Sequence, residues 1–266
     1  MLMIKTYSRV LFILFFCPIL SCKPKETGEP PHAAFQSETR QCHKQRCAQK
    51  NKCANFSVSF LQFAGGDPVS ITPVTDILHR FILGYVHGNK NLPFEVALDS
   101  AGIHFCQEFY DLFAPGQKTN PEITEYELNL TTNLLVSNSK IMTVEMTGFT
   151  YTGGAHPNSY SSMITFDIRN KGMMVPASAM ISDTVAIVSM LEKAYKASKG
   201  MPESGNIGDL LFRKNLVLPR NVCVVKEGIR FYYNDYEVAP YSTGSSDVVL
   251  TWEKLGHLAD KKKWFD

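Results

Sequence analysis

The sequence lacks almost every short motif that announces a chemistry. There is no H-E-x-x-H metal helix, no G-x-S-x-G nucleophile turn, no phosphate-binding loop and no dinucleotide fingerprint. S-x-x-K occurs at Ser137-Asn138-Ser139-Lys140, but in a predicted hairpin turn, whereas that chemistry needs its lysine one turn along a helix. Internal repeats are absent, and no apolar run reaches the roughly 20 residues that a membrane-crossing helix needs. Charge of one sign is not in excess either. Of 27 Lys and Arg, Lys5 and Arg9 fall in the N-terminal segment, which leaves 25 against 25 Asp and Glu. That balance argues against a nucleic-acid surface and against a polybasic membrane patch. What is present is ordinary globular material, 44% hydrophobic and 11% aromatic over 266 residues, enough for one large domain or two small ones.

The N-terminus is the most explicit stretch. Lys5 and Arg9 precede an apolar run, Val10 to Leu20, broken only by Cys17 and Pro18. The run suits the core of a signal peptide. It ends in Ile19-Leu20-Ser21-Cys22, which resembles the lipobox of bacterial lipoproteins, with Leu20 where a smaller residue is commoner. The resemblance implies that residues 1–21 are removed and that Cys22 is lipidated; the alternative is an ordinary secretory leader, with Cys22 a plain thiol. Several acyl chains, at about 0.8 kcal/mol per buried CH₂, make a firm anchor. Residues 22–41 then read as lipidated cysteine and flexible tether, since Lys23 to Gln41 is polar, carries Pro24, Pro30 and Pro31, and has no apolar period. The domain proper is expected over 42–258, divisible at most into 42–120 and 121–258, with a charged tail over 259–266.

Five cysteines remain, and an odd number cannot pair completely within one chain. Cys42, Cys47 and Cys53 cluster at the start of the domain. Their C-x4-C-x5-C spacing lacks the close pair of a structural zinc site, so a disulfide among the three is favoured over a zinc site completed by His43. Which pair closes it stays open. Cys106 and Cys223 fall on apolar faces and read as core residues.

Ala54–Phe63 alternates, with Phe56, Val58 and Phe60 on one side, and reads as a half-buried strand ended by Gly65-Gly66-Asp67-Pro68. Val74–Val86 and Phe94–Phe113 space their apolar residues as helices, the first stopped by Gly88, the second bent or broken near Gly102. Thr124–Val136, Ile141–Tyr151 and Tyr160–Ile168 follow as an antiparallel meander with one wet face, on which Ser161, Met163, Thr165 and Asp167 lie. Thr184–Ser198 is a helix capped by Ser182 or Asp183, and Asn206–Lys214 a short one. Asn221–Tyr233 forms a hairpin turning at Lys226-Glu227-Gly228 with Ile229, Phe231 and Tyr233 inward, and Val248–Trp252 is a late strand. The expected fold class is α+β, an antiparallel β-meander sheet with helices packed on one face.

Between the second and third meander strands lies Tyr151 to Asn158, Y-T-G-G-A-H-P-N, a connection no regular strand could hold. Gly153 and Gly154 suit positive φ and leave the loop open to close approach, or merely shape the turn. His156 suits a ligand, a base or a pH-sensitive contact. With no second histidine or carboxylate at metal spacing, it reads first as a structural hydrogen-bonding residue. Tyr232, Tyr233, Tyr236 and Tyr241 either form an aromatic surface or split between core and strand edge.

Thr152-Gly153-Gly154-Ala155-His156, the strand through Phe166-Asp167, and Tyr233-Asn234-Asp235-Tyr236-Glu237-Val238-Ala239-Pro240-Tyr241 followed by Gly244 together resemble one family. It is the extracytoplasmic domain of RsiV-type anti-sigma factors, found also beside the catalytic domain of PdaC-type peptidoglycan deacetylases, and the similarity runs from about Cys53 to Leu255. The anti-sigma relatives sense lysozyme outside the cell. No cytoplasmic sigma-binding part is expected here, because only the leader precedes the anchor, and the metal-binding histidines and aspartates of a polysaccharide deacetylase are missing. The expectation is therefore a non-enzymatic lipoprotein of the bacterial cell envelope, lipid-anchored and facing the periplasm or exterior. Its binding or sensing site would use Gly153, Gly154, His156, Asn158, Tyr236 and Tyr241, with lysozyme or cell-wall glycan as ligand and no catalytic residue, metal, cofactor or nucleic-acid partner. The alternatives are an enzyme acting on cell-wall glycan through His156 and a carboxylate brought near by folding, or a purely structural lipoprotein. Replacing Cys22 with serine is expected to move the protein from the membrane to the soluble fraction. Intact-mass measurement of the mature chain should find acyl groups on Cys22, and a soluble, unacylated chain would refute the anchor.

Overall fold

The computed structural model describes residues 35–117 and 123–265; the expected leader, Cys22 and residues 23–34 of the tether lie outside the described residues. The remainder of the expected tether is not a spacer. Strand β1 (Gln36–Gln49) begins there and pairs antiparallel along its length with β2 (Lys52–Ala64). No apolar period marks β1, because its residues are mostly polar and exposed; the backbone ladder holds it, together with contacts to a helix described below. Cys47 stands opposite Cys53 in this hairpin and the two form a disulfide, leaving Cys42 a half-buried thiol and Cys106 and Cys223 buried ones. Burial pushes the Cys223 thiol up to about 12.

Helix α1 (Pro68–Tyr85) starts earlier than the apolar spacing implies, because Asp67 caps it, accepting from Val69 N at 3.1 Å, and Pro68 stands first in it. Helix α2 (Phe94–Asp111) follows and runs unbroken through Gly102. A Cβ there would fall 2.9 Å from the Phe56 ring, so the glycine serves close helix-to-strand packing rather than a bend. Helix α2 also grips β1: Lys44 pairs with Asp99, and the Arg46 guanidinium lies 3.9 Å over the Tyr110 ring. The two helices form the crossover that lets β3 (Glu125–Ser137) return parallel to β2. A division at residue 120 would sever this pair. Strands β4 (Ile141–Tyr151) and β5 (Asn158–Asp167) complete the expected antiparallel meander, and the short β6 (Met173–Met174) closes a six-stranded sheet ordered β1-β2-β3-β4-β5-β6. One face of this sheet packs Phe56, Val58 and Leu130 against Ile82, Leu98 and Phe109 of the helices.

The other face is wet only in part: Glu125, Asn133 and Ser159 are exposed, but the β4–β5 end is covered. After the short α3 (Ala177–Met180) and α4 (Thr184–Ser198), capped by Asp183, the chain forms a second sheet of β7 (Asn221–Val225), β8 (Gly228–Tyr233) and β9 (Ser246–Thr251). This sheet lies against the face expected to meet water, so Ser161, Met163 and Thr165 are buried along with Thr143. Short polar and β-branched residues suit either environment, and only the arrival of β7 decides between them. Helix α4 buries Ile187, Leu191 and Tyr195 in a core shared with Ile229, Phe231 and Tyr233.

The end of the chain differs as well. After α5 (Trp252–Leu255) the expected charged tail returns to the protein, and Trp264 is 1% exposed within the second core. Its carbonyl accepts from Asn138 Nδ2 at 3.0 Å, which ties the C-terminus to the β3–β4 turn. Among the described residues no helix is long and apolar enough to cross a membrane. Trp264→Ala is expected to cost about 3–5 kcal/mol, as for other fully buried tryptophans, read as a lower urea midpoint; an unchanged midpoint would place Trp264 outside the core.

Candidate functional site

The β4–β5 loop and the segment after β8 meet, although they are far apart in sequence. Gly153 and Gly154 take φ of +85° and +106°, and the side on which Gly154 would carry a Cβ is open. Next to them His156 stacks on Tyr241, ring centroids 3.9 Å apart and 12° from parallel. Its Nδ1 lies 3.0 Å from the Pro157 carbonyl, which only accepts, so Nδ1 carries the proton. Nε2 is then the acceptor, and the Tyr236 hydroxyl donates to it at 3.1 Å. The structural, hydrogen-bonding reading of His156 describes this geometry: both ring nitrogens are engaged, neither by a carboxylate.

Tyr236 is held under strain. Its φ is +62°, a left-handed conformation that costs a side chain other than glycine roughly 1–2 kcal/mol. Two clamps hold it there. The Glu237 carboxylate accepts from Asn234 N at 2.9 Å and from Arg220 N at 2.7 Å. The Asn234 amide in turn accepts from Ser161 N at 2.7 Å and donates to Ser161 O at 2.9 Å, bolting the turn to β5. Tyr241 is positioned from the other side by Lys199, whose ammonium donates to the Thr243 and Ser245 carbonyls at 2.7 and 2.9 Å; burial pulls it below the ordinary lysine value.

Of the residues expected at the site, the structure brings together Gly153, Gly154, His156, Tyr236 and Tyr241. Asn158 lies at the edge of a different cleft. The four tyrosines divide: Tyr233 is buried, donating to Val217 O at 2.9 Å, while Tyr236 is exposed. Sequence reasoning missed Phe212, placed in a short helix over Asn206–Lys214 of which only a turn at Ile207–Asp209 forms, and Val217, in an irregular stretch, and it turned Tyr160 inward. These three and Tyr236 line a cleft of about 610 Å³, and they are 58%, 45%, 43% and 52% exposed. Tyr160 also lines a second cleft of about 1070 Å³ between α1, α2 and the sheet, with Thr150, Thr152 and Asn158 on its rim. Among the described residues no three His, Cys, Asp or Glu side chains converge as a metal site.

Two family descriptions match the chain. Residues 47–159 match Deacetylase PdaC, and residues 178–253 match DUF3298, a protein family of unknown function. His156 falls in the first stretch and Tyr236 and Tyr241 in the second, so the aromatic cluster forms where the two matched regions meet. No curated protein matches the chain. A DUF3298-family protein from Bacteroides fragilis has a similar solved structure, with TM-score 0.66 at 17% identity, covering 87% of this chain and 96% of that one. A DUF3298-family protein from Pseudomonas aeruginosa PAO1 gives 0.59 at 16%, covering 86% and 96%. At these identities the likeness is one of fold. Fold and site define a mixed α+β domain whose main sheet is covered by helices on one face and partly by a second sheet on the other. It joins a stretch similar to Deacetylase PdaC to one similar to DUF3298.

Asn234→Ala should cost about 1–3 kcal/mol, because it leaves buried backbone groups of Ser161 short of partners. Ser161→Ala should be near neutral, since the bonds run to its backbone. Equal urea midpoints for the two variants would show that the Asn234 clamp does not hold the turn.

Proposed function

We propose that this domain is the ligand-binding part of a lipid-anchored protein of the bacterial cell envelope, and that it binds without transforming its ligand. The observation that carries the reading is the exposed cluster of Tyr160, Phe212, Val217 and Tyr236 around one cleft, backed by the His156–Tyr241 stack. Exposed large side chains scattered singly mean little; gathered on a rigidly supported turn, they match the anchors on which binding surfaces depend. The strain at Tyr236 points the same way, because conformations that the surrounding structure holds under strain cluster at active sites and ligand clamps. Two of the acid–base groups nearest the cluster are already engaged, His156 in holding Tyr236 and Glu237 in holding the turn; Asp235 also lines the cleft. The engagement of the histidine favours contact over catalysis. Flat aromatic area suits either a protein surface or the faces of sugar rings, so lysozyme and cell-wall glycan are the two ligands to test first.

The purified full chain should be retained by immobilised lysozyme or by insoluble peptidoglycan. Phe212→Ser combined with Tyr236→Ser should lower that affinity at least tenfold with the melting temperature little changed. Retention by neither matrix, or equal retention of the double variant, would overturn the reading. Turnover of the glycan by the wild-type chain would overturn its non-enzymatic half.

A further inference from the structure

The larger cleft is a second site, sharing only Tyr160 with the aromatic cluster. We propose that it binds a single-chain amphiphile with an anionic head, such as a fatty acid or a lysophospholipid. Its volume, about 1070 Å³, is at the upper end of small-molecule sites, and its lining is mostly apolar. Phe81, Val86, Phe105, Leu128 and Met146 line it, and Tyr85 forms a wall by packing into the space that Gly148 leaves free. The Tyr85 hydroxyl is bonded to Thr150 at 2.9 Å, so the wall presents ring rather than an unpartnered polar group.

Gly84 is the most telling residue. Glycine weakens a helix relative to alanine, and it is usually retained where a Cβ would collide or where φ is positive. Gly102 and Gly148 are such cases; Gly84 is not. It sits in α1 with an ordinary helical backbone, and an added Cβ would approach only the Lys90 Nζ, at 4.0 Å. The space beside it is the cleft. Small Ala101 on α2 lines the same cleft, so both helices give up packing volume there. The apolar lining then calls for an apolar body.

Charge selects the head. Glu108 on the rim lies 3.3 Å from His104, which balances its charge only when protonated. Arg80, also on the rim, donates from Nε to the Asp76 carbonyl at 3.2 Å and forms no ion pair among the described residues. Its guanidinium and the Lys90 ammonium, the latter 4.0 Å from where a Cβ on Gly84 would stand, are two cations against the one carboxylate of Glu108, an excess suited to a carboxylate or phosphate. Thr150, Thr152 and Asn158 add hydrogen-bonding groups on the opposite, strand side.

The test is calorimetric titration of the full chain, below the micelle concentration, with sodium laurate, lauroyl lysophosphatidylglycerol and dodecyl maltoside. At least one anion should bind the wild type, and the tighter of the two identifies a carboxylate or a phosphate head. Gly84→Leu should weaken it at least tenfold with the melting temperature unchanged or raised, because leucine is the better helix former. Arg80→Gln should weaken the anions several-fold and leave dodecyl maltoside unaffected. Failure of both anions to bind the wild type, or undiminished binding by Gly84→Leu, overturns the proposal. Equal affinity for dodecyl maltoside overturns its anionic head. Retention on lysozyme or peptidoglycan should be the same for Gly84→Leu as for wild type, which keeps this outcome distinct from that of the aromatic surface.

Discussion

The architecture depends on a seam of side-chain hydrogen bonds between its two sheets. Thr143 Oγ1 donates to Val224 O at 2.8 Å, and Val224 N donates to Thr165 Oγ1 at 3.0 Å. The 3.0 Å contact between the threonines is then a bond from Thr165 to Thr143, so each hydroxyl donates once. Beside them, Asn221 accepts from Met163 N at 3.1 Å and donates to Ser161 O at 2.9 Å. Asn234 does the same for Ser161 one step further along. Side-chain amides thus satisfy the outer edge of β5 where a neighbouring strand would otherwise lie, which protects it from pairing with another chain. Buried polar groups carry a large desolvation cost unless partnered, so the second sheet has one favourable seating on the first.

Arg230 reinforces that seating, bonded to Glu145 on the first sheet at 2.9 Å and to Asp247 on β9 at 2.7 and 2.9 Å. An ion pair this sheltered adds more to geometry than to net stability. The consequence reaches the aromatic cluster through Asn234, which belongs both to the seam and to the turn that displays Tyr236. A surface held in this way loses little freedom when a partner arrives, and recognition by rigid aromatic anchors depends on that. The two clefts differ in support. One is framed by turns clamped at Asn234, Glu237 and Lys199, the other by helices α1 and α2 that leave space at Gly84 and Ala101.

Much of the fold was legible, and for a local reason. Alternation at Phe56, Val58 and Phe60, or at Ile229, Phe231 and Tyr233, marks a strand face wherever that strand ends up. Asp183 caps its helix through its own neighbours, whereas Asp67 read only as part of a turn and the first turns of α1 were missed. β1 carried no such mark: Arg40 read as tether, and His43 and Lys44, at the start of the domain, show no strand pattern until β2 and α2 are beside them. Trp264 was lost among charged residues because burial of a single side chain has no period. The candidate site was legible in its parts: the glycines of the β4–β5 loop and the tyrosines after β8 each stood out. Phe212, Tyr160 and Gly84 did not, because exposure and empty space are properties of the packed molecule.

Taken alone, the chain determined most of its strands and helix ends, the α+β class and the two segments that meet at His156, all through interactions between residues a few positions apart. Tertiary structure decided which part of the meander's polar face is dry, which cysteines pair, and that a tyrosine hydroxyl finds a histidine 80 residues away. Those outcomes depend on satisfying buried donors and acceptors across distant strands, and no local pattern encodes whether the partner will be there.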